Sequence, residues 1–494
     1  MKRIGSLMVL ITMALLNLYL LQSCSNDEFI TSTETTNNVI TQIPKESRMS
    51  LAEIKTVAKN FSIAMLGKSH TSNITRKIEN NISKFETIEK DGTNYMYIFN
   101  FTKGGFVIVG GSKDYYPILA YSENGSFDKT NYNIGLVNWI DETSSALANS
   151  SQLPDSFKQK MKEFWDEYQD DIGTSRTALS KIIKKVPTAG QQACWDRCEE
   201  LLSKYDGQGW KFAPLEYAQQ DFEALGLGDY YNDLCYSAKF NHSELGSSVV
   251  GWKKVHETQT VQPLIPKHWH QGPPFNNLCD NQPAGCGAVA LSQILYYYKY
   301  PQRLSFNNIS FTWSEYESDT NNVAKLIKIT GEYINTHYSS NFSWATPGDM
   351  LNGIKKLGYK VSEYNYDTHG VENAVFYNKQ PVIMLANADD LSFLPSPLKY
   401  LGNSHYWVCH GVKRLITGRV LVFAEWQPYD KGNFVSGWHS LENPDILGGV
   451  ITPYFYMNWG GKNGKINGWY LSDNTNIPSG NYKHSRKVFY ISRY

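Results

Sequence analysis

The feature that most constrains the fold of this chain is a glycine-flanked cysteine at the start of an apolar run. The run begins at Gly285-Cys286-Gly287 and is stopped by Pro301. Its apolar residues recur at helical spacing, so the sequence predicts a buried helix with a thiol in its first turn. The positive end of the helix dipole lowers the pKa of such a thiol and favours the nucleophilic thiolate. The adjacent glycine would let a substrate carbonyl approach. The alternative is a buried structural cysteine.

A thiolate nucleophile needs an imidazole that acts first as its ion-pair base and later as an acid. Among 11 histidines, His405 has the most telling context, because it stands at the entry to a β-rich run. His410 has the opposite parity along that run, so the two rings cannot both face Cys286. Further on, a predicted strand ends in Asn458-Trp459. The asparagine could accept from the far imidazole N–H, and the tryptophan could shield that bond. The order Cys, His, Asn is the papain-type order.

These motifs resemble those of the streptopain family of cysteine peptidases, which are secreted bacterial enzymes with a papain-like fold. The likeness covers about residues 49–150 and 261–494. Its strongest segments are Gly285-Cys286 with Gln293 and Tyr300-Pro301, the loop Trp269–Asn276, the strand Pro381-Val382-Ile383, and Ser404–Val408. The chain departs from the family after Trp459, where Gly460-Gly461 follows and the second tryptophan of the family is missing. The cleft wall and the substrate subsites are therefore expected to differ.

The resemblance implies a role for each matching residue. Cys286 would be the nucleophile, and His405 the general base and acid. Asn458 would orient His405, and Trp459 would shield their hydrogen bond. Gln271 is the expected side-chain donor to the oxyanion, beside the Cys286 backbone N–H.

Two alternatives concern the residues around this site. Gln282 is the rival of Gln271 as oxyanion donor, because it is nearer to the cysteine in sequence. His268, His270 and Cys279 form a cluster that could suggest zinc, but no second paired ligand element accompanies them. We therefore expect no metal and no cofactor.

The first residues have the features of an export signal. Residues 1–23 combine a short basic start with an apolar stretch too short to span a bilayer. They lead into Leu21-Gln22-Ser23-Cys24, which resembles a bacterial lipobox. We expect Cys24 to be lipidated and residues 24–48 to form a flexible tether. The chain would then be an exported, surface-exposed outer-membrane lipoprotein, with release after maturation left open. The alternative is an ordinary secretory signal with a chance cysteine.

The remaining chain predicts an α+β fold. A capping box at Ser50 and Glu53 opens a small α+β domain over residues 49–150, which resembles the inhibitory propeptide of the family. Residues 151–254 are expected to be a mostly helical insertion or propeptide extension. They carry Cys194 and Cys198 on one helix face, a spacing that could suggest a metal, but no second ligand pair accompanies it. Two core or surface thiols are expected, and a pair with Cys235 is left open.

Residues 255–494 are expected to form a papain-like catalytic domain with two lobes. A helical lobe would carry Cys286, and an antiparallel β lobe would carry His405 and Asn458. Strands are predicted at Val420–Trp426, Trp469–Leu471 and Val488–Ile491.

The charge balance narrows the choice of partners. Lys+Arg and Asp+Glu both number 47, and this argues against nucleic-acid binding, which needs a basic surplus. The expected partners are protein or peptide substrates, the chain's own propeptide as inhibitor, and a membrane through the lipid anchor. The sequence thus predicts a lipid-anchored cysteine endopeptidase made as a zymogen. The alternative is a catalytically inactive surface paralogue that binds proteins or inhibits peptidases.

Overall fold

The computed structural model describes residues 42–62, 82–90, 92–128, 134–169, 189–240, 248–313, 320–340, 342–387, 404–426, 435–436, 440–461, 464, 466–472 and 486–493. The predicted signal peptide, Cys24 and most of the tether lie outside these ranges. No helix within them is long and apolar enough to cross a membrane.

Ten α-helices are described across these ranges. They are α1 Leu51–Phe61, α2 Ile134–Ala148, α3 Asp155–Gln169, α4 Ala189–Lys204, α5 Gln219–Ala224, α6 Gly228–Phe240, α7 Cys286–Tyr298, α8 Thr320–Tyr333, α9 Pro347–Lys356 and α10 Thr368–Glu372. Short 3₁₀ turns occur at Lys45–Ser47, Ser150–Gln152 and Leu215–Tyr217, and a π-turn at Asn373–Tyr377 continues α10.

The same ranges contain fifteen strands. They are β1 Ile82–Lys90, β2 Thr93–Phe101, β3 Phe106–Gly110, β4 Ile118–Ser122, β5 Lys211–Pro214, β6 Ser248–Val261, β7 Arg303–Phe306, β8 Ile309–Thr312, β9 Tyr359–Asn365, β10 Val382–Asn387, β11 Ser404–Trp426, β12 Val435–Ser436, β13 Asp445–Asn458, β14 Gly468–Leu471 and β15 Lys487–Arg493. The paired strands with a described register are antiparallel, which confirms the predicted α+β class with an antiparallel sheet.

The chain divides into two compact units. The first contains the described residues up to Trp165 together with those of Thr260–Lys413 and Pro453–Tyr494. The second contains those of Asp166–Gln259 and Arg414–Thr452.

The N-terminal part of the first unit is the small α+β domain that the sequence predicts. Helix α1 begins at the predicted capping box, in which the Ser50 side chain accepts from the Glu53 N–H and the Glu53 carboxylate accepts from the Ser50 N–H. Strands β1 to β4 form an antiparallel meander, and every residue of β3 and β4 is buried. These two strands therefore lie in the interior of the first unit.

The C-terminal part of the first unit has a helical half and a sheet half. Helices α7, α8 and α9 surround a buried apolar core that includes Leu291, Ile327 and Ile354. The sheet continues in the order β14, β13, β11, β10, β15, β9. This is the two-lobed arrangement predicted for the catalytic domain, with the cysteine helix in one half and β11 in the other.

One sheet joins the N-terminal domain to the catalytic part. Strand β4 pairs antiparallel with β14 through Tyr121–Trp469 and Ala120–Tyr470. Near this junction the Trp139 indole donates to the Leu471 carbonyl at 3.4 Å. The N-terminal domain is thus fixed to the sheet half by main-chain pairing and by side chains.

The second unit is less purely helical than predicted. Strands β5 and β6 form an antiparallel pair, and helices α5 and α6 pack on an apolar cluster that includes Phe222, Trp252 and Val422. Cys194 and Cys198 are buried in a neighbouring cluster. Neither of them forms a disulfide, and nor does Cys235, so the pair with Cys235 that the sequence leaves open is not formed in this structure.

Candidate active site

The predicted nucleophile lies at the first position of helix α7. Gly285 precedes the helix at φ 90°, a conformation that L side chains rarely adopt. A Cβ at Gly287 would come within 3.0 Å of the Met350 side chain and 3.2 Å of Ile334. Gly285 therefore permits the left-handed backbone before the helix, and Gly287 fits the crowded first helical turn. Together they place Cys286 at the surface of the helical lobe.

The ionisation of Cys286 differs from the prediction. Burial raises the pKa of this thiol, although the backbone N–H groups of Tyr406, Gly287 and Cys286 act in the opposite direction. The Tyr406 N–H donates to Sγ at 3.5 Å. The prediction of a lowered pKa is wrong for this state, because desolvation outweighs the stabilisation of the thiolate by the helix N-terminus.

His405 lies at the start of β11, where the sequence places it. Its Nε2 is 2.9 Å from the carbonyl oxygen of Trp459, and burial lowers its pKa to about 4. A carbonyl can only accept a hydrogen bond, so the neutral ring carries its proton on Nε2. The Nδ1 lone pair is then left to act as a base. The ring stacks nearly parallel to Trp407, with centroids 6.3 Å apart.

The hydrogen-bond partner predicted for His405 is wrong in this structure. The imidazole bonds to the main chain of Trp459 and not to the Asn458 side chain. Asn458 Nδ2 instead donates to Gln293 Oε1 at 2.5 Å and to the Lys267 carbonyl at 2.8 Å. Asn458 thus directly precedes the residue whose carbonyl binds the imidazole, and its own amide bonds to Gln293 on the helical lobe.

The predicted shielding residue Trp459 is buried. Its side chain is 1% exposed, and its ring packs 5.0 Å from Trp407 and 5.2 Å from Tyr470. Because Trp407 stacks on His405, the two indoles together form an apolar wall behind the imidazole. The shielding role assigned to Trp459 stays a prediction.

The oxyanion candidates Gln271 and Gln282 are clearly separated. Gln271 lines the same cavity as Cys286 and His405. Gln282 lies outside that lining, and its main chain is held by the Asn276 amide and the Cys279 carbonyl. The geometry favours Gln271 as the donor.

The candidate residues converge on one small cavity. Its lining contains Gln271, Cys286, Gln293, His405, Asn458 and Gly460, among others. The cavity volume is about 10 Å³, room for about one water molecule. A space of this size does not hold a peptide segment.

Sequence reasoning missed a residue that contacts this site. Asn467 is 2% exposed, and its side chain bonds to the Trp459 N–H, to Asn458 Oδ1 and to His268 Nδ1. It stands in a glycine-rich stretch without any catalytic motif, so local sequence contained no signal for it. Gln293 was part of the family motif, but that motif contained no signal for the contact between Gln293 and Asn458.

The other histidines near the site have structural partners. The His270 ring accepts from the Gly272 N–H, and the His410 ring accepts from the Ile265 N–H, both at 3.2 Å. Within the described part of the chain, no group of three or more His, Cys, Asp or Glu side chains is arranged to hold a metal ion. His268, His270 and Cys279 therefore do not meet as a zinc cluster.

A buried ion pair fixes the N-terminal domain close to the sheet half. Arg486 Nε donates to Glu142 Oε1 at 2.9 Å, and a second guanidinium nitrogen contacts the other carboxylate oxygen. The Glu142 side chain is 2% exposed. Burial lowers the pKa of Arg486 to about 10. The arginine also lies over the Tyr366 ring at 4.7 Å. Pairs of this kind are costly to break from one side.

Comparison with known proteins agrees with this geometry. Residues 50–147 match the family model of the Spi protease inhibitor, and residues 269–470 match that of the Peptidase C10 family. These matches confirm the resemblance to the streptopain family. No curated protein matches the chain.

Among solved structures, the chain is similar to a Cys-to-Ala mutant fragment of prointerpain A from Prevotella intermedia. The identity is 14%, the alignment covers 82% of this chain and 97% of that one, and the TM-score is 0.37.

Proposed function

Since the chain is a cysteine peptidase of the Peptidase C10 family, made as a zymogen behind a domain of the Spi protease inhibitor family, we propose that it is an endopeptidase that uses Cys286 and His405. His405 Nδ1 takes the thiol proton, and Sγ attacks the scissile carbonyl carbon. The C–N bond then breaks as the imidazolium protonates the leaving amine. Water, deprotonated by His405, hydrolyses the thioester and frees Cys286.

The observation that carries the proposal is the convergence of three groups on one cavity. A nucleophile at a helix start, an imidazole whose Nε2 is bonded to the Trp459 carbonyl, and the oxyanion candidate Gln271 all line the same space. Gln271 and the Cys286 N–H would stabilise the oxyanion of the tetrahedral intermediate. Asn458 would hold the Trp459 main chain in place, and the Trp459 indole would cover the bond between its carbonyl and the imidazole.

Both reacting groups are neutral in this structure, because burial disfavours the charged form of the thiol and of the imidazole. The residues that line the cavity belong to the catalytic part of the chain. We expect removal of the N-terminal domain to admit water and peptide to this site and to allow the thiolate–imidazolium pair to form.

The proposal is tested with the chain before and after proteolytic removal of the N-terminal domain. We expect the processed form to cleave casein at internal bonds and to react with iodoacetamide at Cys286 near neutral pH. Cys286→Ala should abolish both, whereas Cys409→Ala, at a buried cysteine outside the cavity lining, should retain both. A processed parent chain that neither cleaves nor reacts would support the alternative of an inactive surface protein.

We also propose that the chain is an exported lipoprotein anchored through Cys24. The support is the short apolar run followed by the lipobox-like Leu21-Gln22-Ser23-Cys24. Labelling of cells with a radioactive fatty acid should mark the chain, and Cys24→Ser should remove the label and release the protein from the outer membrane. An unlabelled parent chain that is secreted freely would contradict the anchor.

A further inference from the structure

The main-chain segment that binds His405 is itself held by one side chain. The Trp459 carbonyl accepts from His405 Nε2 at 2.9 Å, and the Trp459 N–H donates to Asn467 Oδ1 at 3.0 Å. The Trp459 residue therefore stands between the imidazole and Asn467. Any movement of this residue changes the position of the acceptor that sets the His405 tautomer.

Asn467 also fixes the neighbouring asparagine. Its Nδ2 donates to Asn458 Oδ1 at 3.1 Å, and the same amide lies 3.0 Å from His268 Nδ1. The orientation of Asn467 is thus determined, because its oxygen faces a donor and its nitrogen faces two acceptors. Asn458 Nδ2 then continues the network to Gln293 Oε1 on the cysteine helix.

The network is buried. Asn458 is 0%, Asn467 2% and Gln293 1% exposed. Satisfied hydrogen bonds in such a dry environment are strong and directional, so the network is rigid. It links helix α7, which carries the thiol, to the segment that carries the acceptor of the imidazole.

We propose that Asn467 is the positioning residue of the His405 imidazole: through the Trp459 N–H and Asn458 it keeps the Trp459 carbonyl aimed at Nε2 and so leaves Nδ1 as the base. The inference rests on the proposed peptidase mechanism for its kinetic consequence. The effect on the imidazole tautomer holds independently of activity.

The first test is the tautomer of His405 in the full chain. Selective ¹⁵N-histidine labelling with long-range ¹H–¹⁵N spectra identifies which ring nitrogen carries the proton, and the His405→Gln spectrum assigns the signal. The parent should show a pure Nε2–H tautomer at pH 7. Asn467→Ala should give a mixture of tautomers. Ser472→Ala is the matched control. Ser472 is as buried as Asn467, lies just after β14, the strand that Asn467 precedes, and donates to the Pro453 carbonyl.

The second test is steady-state kinetics of the processed enzymes. Asn467→Ala should lower kcat about 10- to 100-fold with KM nearly unchanged, because the base is misplaced while peptide contacts remain. Asn467→Asp keeps an oxygen for the Trp459 N–H and should recover part of kcat. If Asn467→Ala does not fold, Asn467→Leu fills the space without polar atoms and should show the same losses.

The two proposals fail in different ways. A pure Nε2–H tautomer and a kcat equal to that of Ser472→Ala in a folded Asn467 variant would overturn the positioning role, even if the parent is a good peptidase. A processed parent chain that cleaves no peptide would contradict the peptidase mechanism, while the tautomer measurement would still decide the role of Asn467.

Discussion

Gln271 and Gln282 differ in their relation to the cavity, although Gln282 is the nearer of the two to Cys286 in sequence. Only Gln271 shares the cavity lining with the thiol. Removal of one oxyanion donor typically costs about 10² to 10³ in kcat. We expect Gln271→Ala to show a loss of this size in the processed enzyme, measured on a fluorogenic peptide.

Gln282→Ala serves as the matched control and should retain kcat within about twofold of the parent, since Gln282 lies outside the cavity lining. A larger loss for Gln282→Ala than for Gln271→Ala would reverse the assignment.

The sequence predicted the residues with local signals and missed those that act over long separations. The place of Cys286 at a helix start was predictable from its flanking glycines, and that of His405 at a strand entry from the β-rich run that follows it. The hydrogen bonds of Asn467 depend on how distant segments meet, and no spacing rule contains that information. The raised pKa of Cys286 was missed for a similar reason, since desolvation depends on the packed structure.

At the scale of elements, the buried pair of Glu142 on α2 and Arg486 just before β15 holds the N-terminal domain. Glu142→Ala would leave the guanidinium buried without its counter-charge, which typically costs roughly 3 to 5 kcal/mol. We expect the unprocessed variant to unfold at a lower temperature and to expose Cys286 to iodoacetamide faster than the parent.

The matched control for this change is Asp155→Ala, which removes the carboxylate paired with Lys158 within α3. The Asp155 side chain is 99% exposed, so its pair is screened by solvent and is expected to contribute little. Equal labelling rates of Cys286 in the two variants would show that the buried pair does not control docking.

Elements with strong local signals were predicted well. The capping box predicted that α1 begins at Leu51, and the apolar run predicted that α7 begins at Cys286. Strands β1, β5 and β6 were not predicted. Strand β1 is mostly exposed and rich in charged residues, so it lacks the alternating pattern by which strands are identified. Its pairing with β2 in the folded domain stabilises it instead.

At the scale of the whole molecule, buried histidines make stability depend on pH. Burial lowers the pKa of His405 to about 4 and that of His410 to about 3, from 6.5. Between pH 6.5 and 4 the unfolded chain binds protons that the folded chain cannot bind. The free energy of unfolding should therefore fall on acidification, by roughly 3 kcal/mol for His410 alone at pH 4.

Urea unfolding of the full chain at pH 7, 5.5 and 4.5 measures this dependence. His410→Gln should show a shallower fall in the free energy of unfolding than the parent. His369→Gln is the control, because the His369 side chain is 92% exposed and its replacement should leave the slope unchanged. Parallel curves for the parent and His410→Gln would contradict the assignment.

The pairing of β4 with β14 has a consequence for the enzyme once it is processed. When the N-terminal domain leaves, β14 (Gly468–Leu471) loses its pairing with β4. Backbone amide groups that were hydrogen-bonded to β4 are then exposed to solvent. Unsheltered strand borders of this kind invite association between molecules. Maturation is thus expected to bring a tendency to self-associate in the same event that brings catalytic competence, so that the concentration of the processed enzyme would govern how long it stays monomeric.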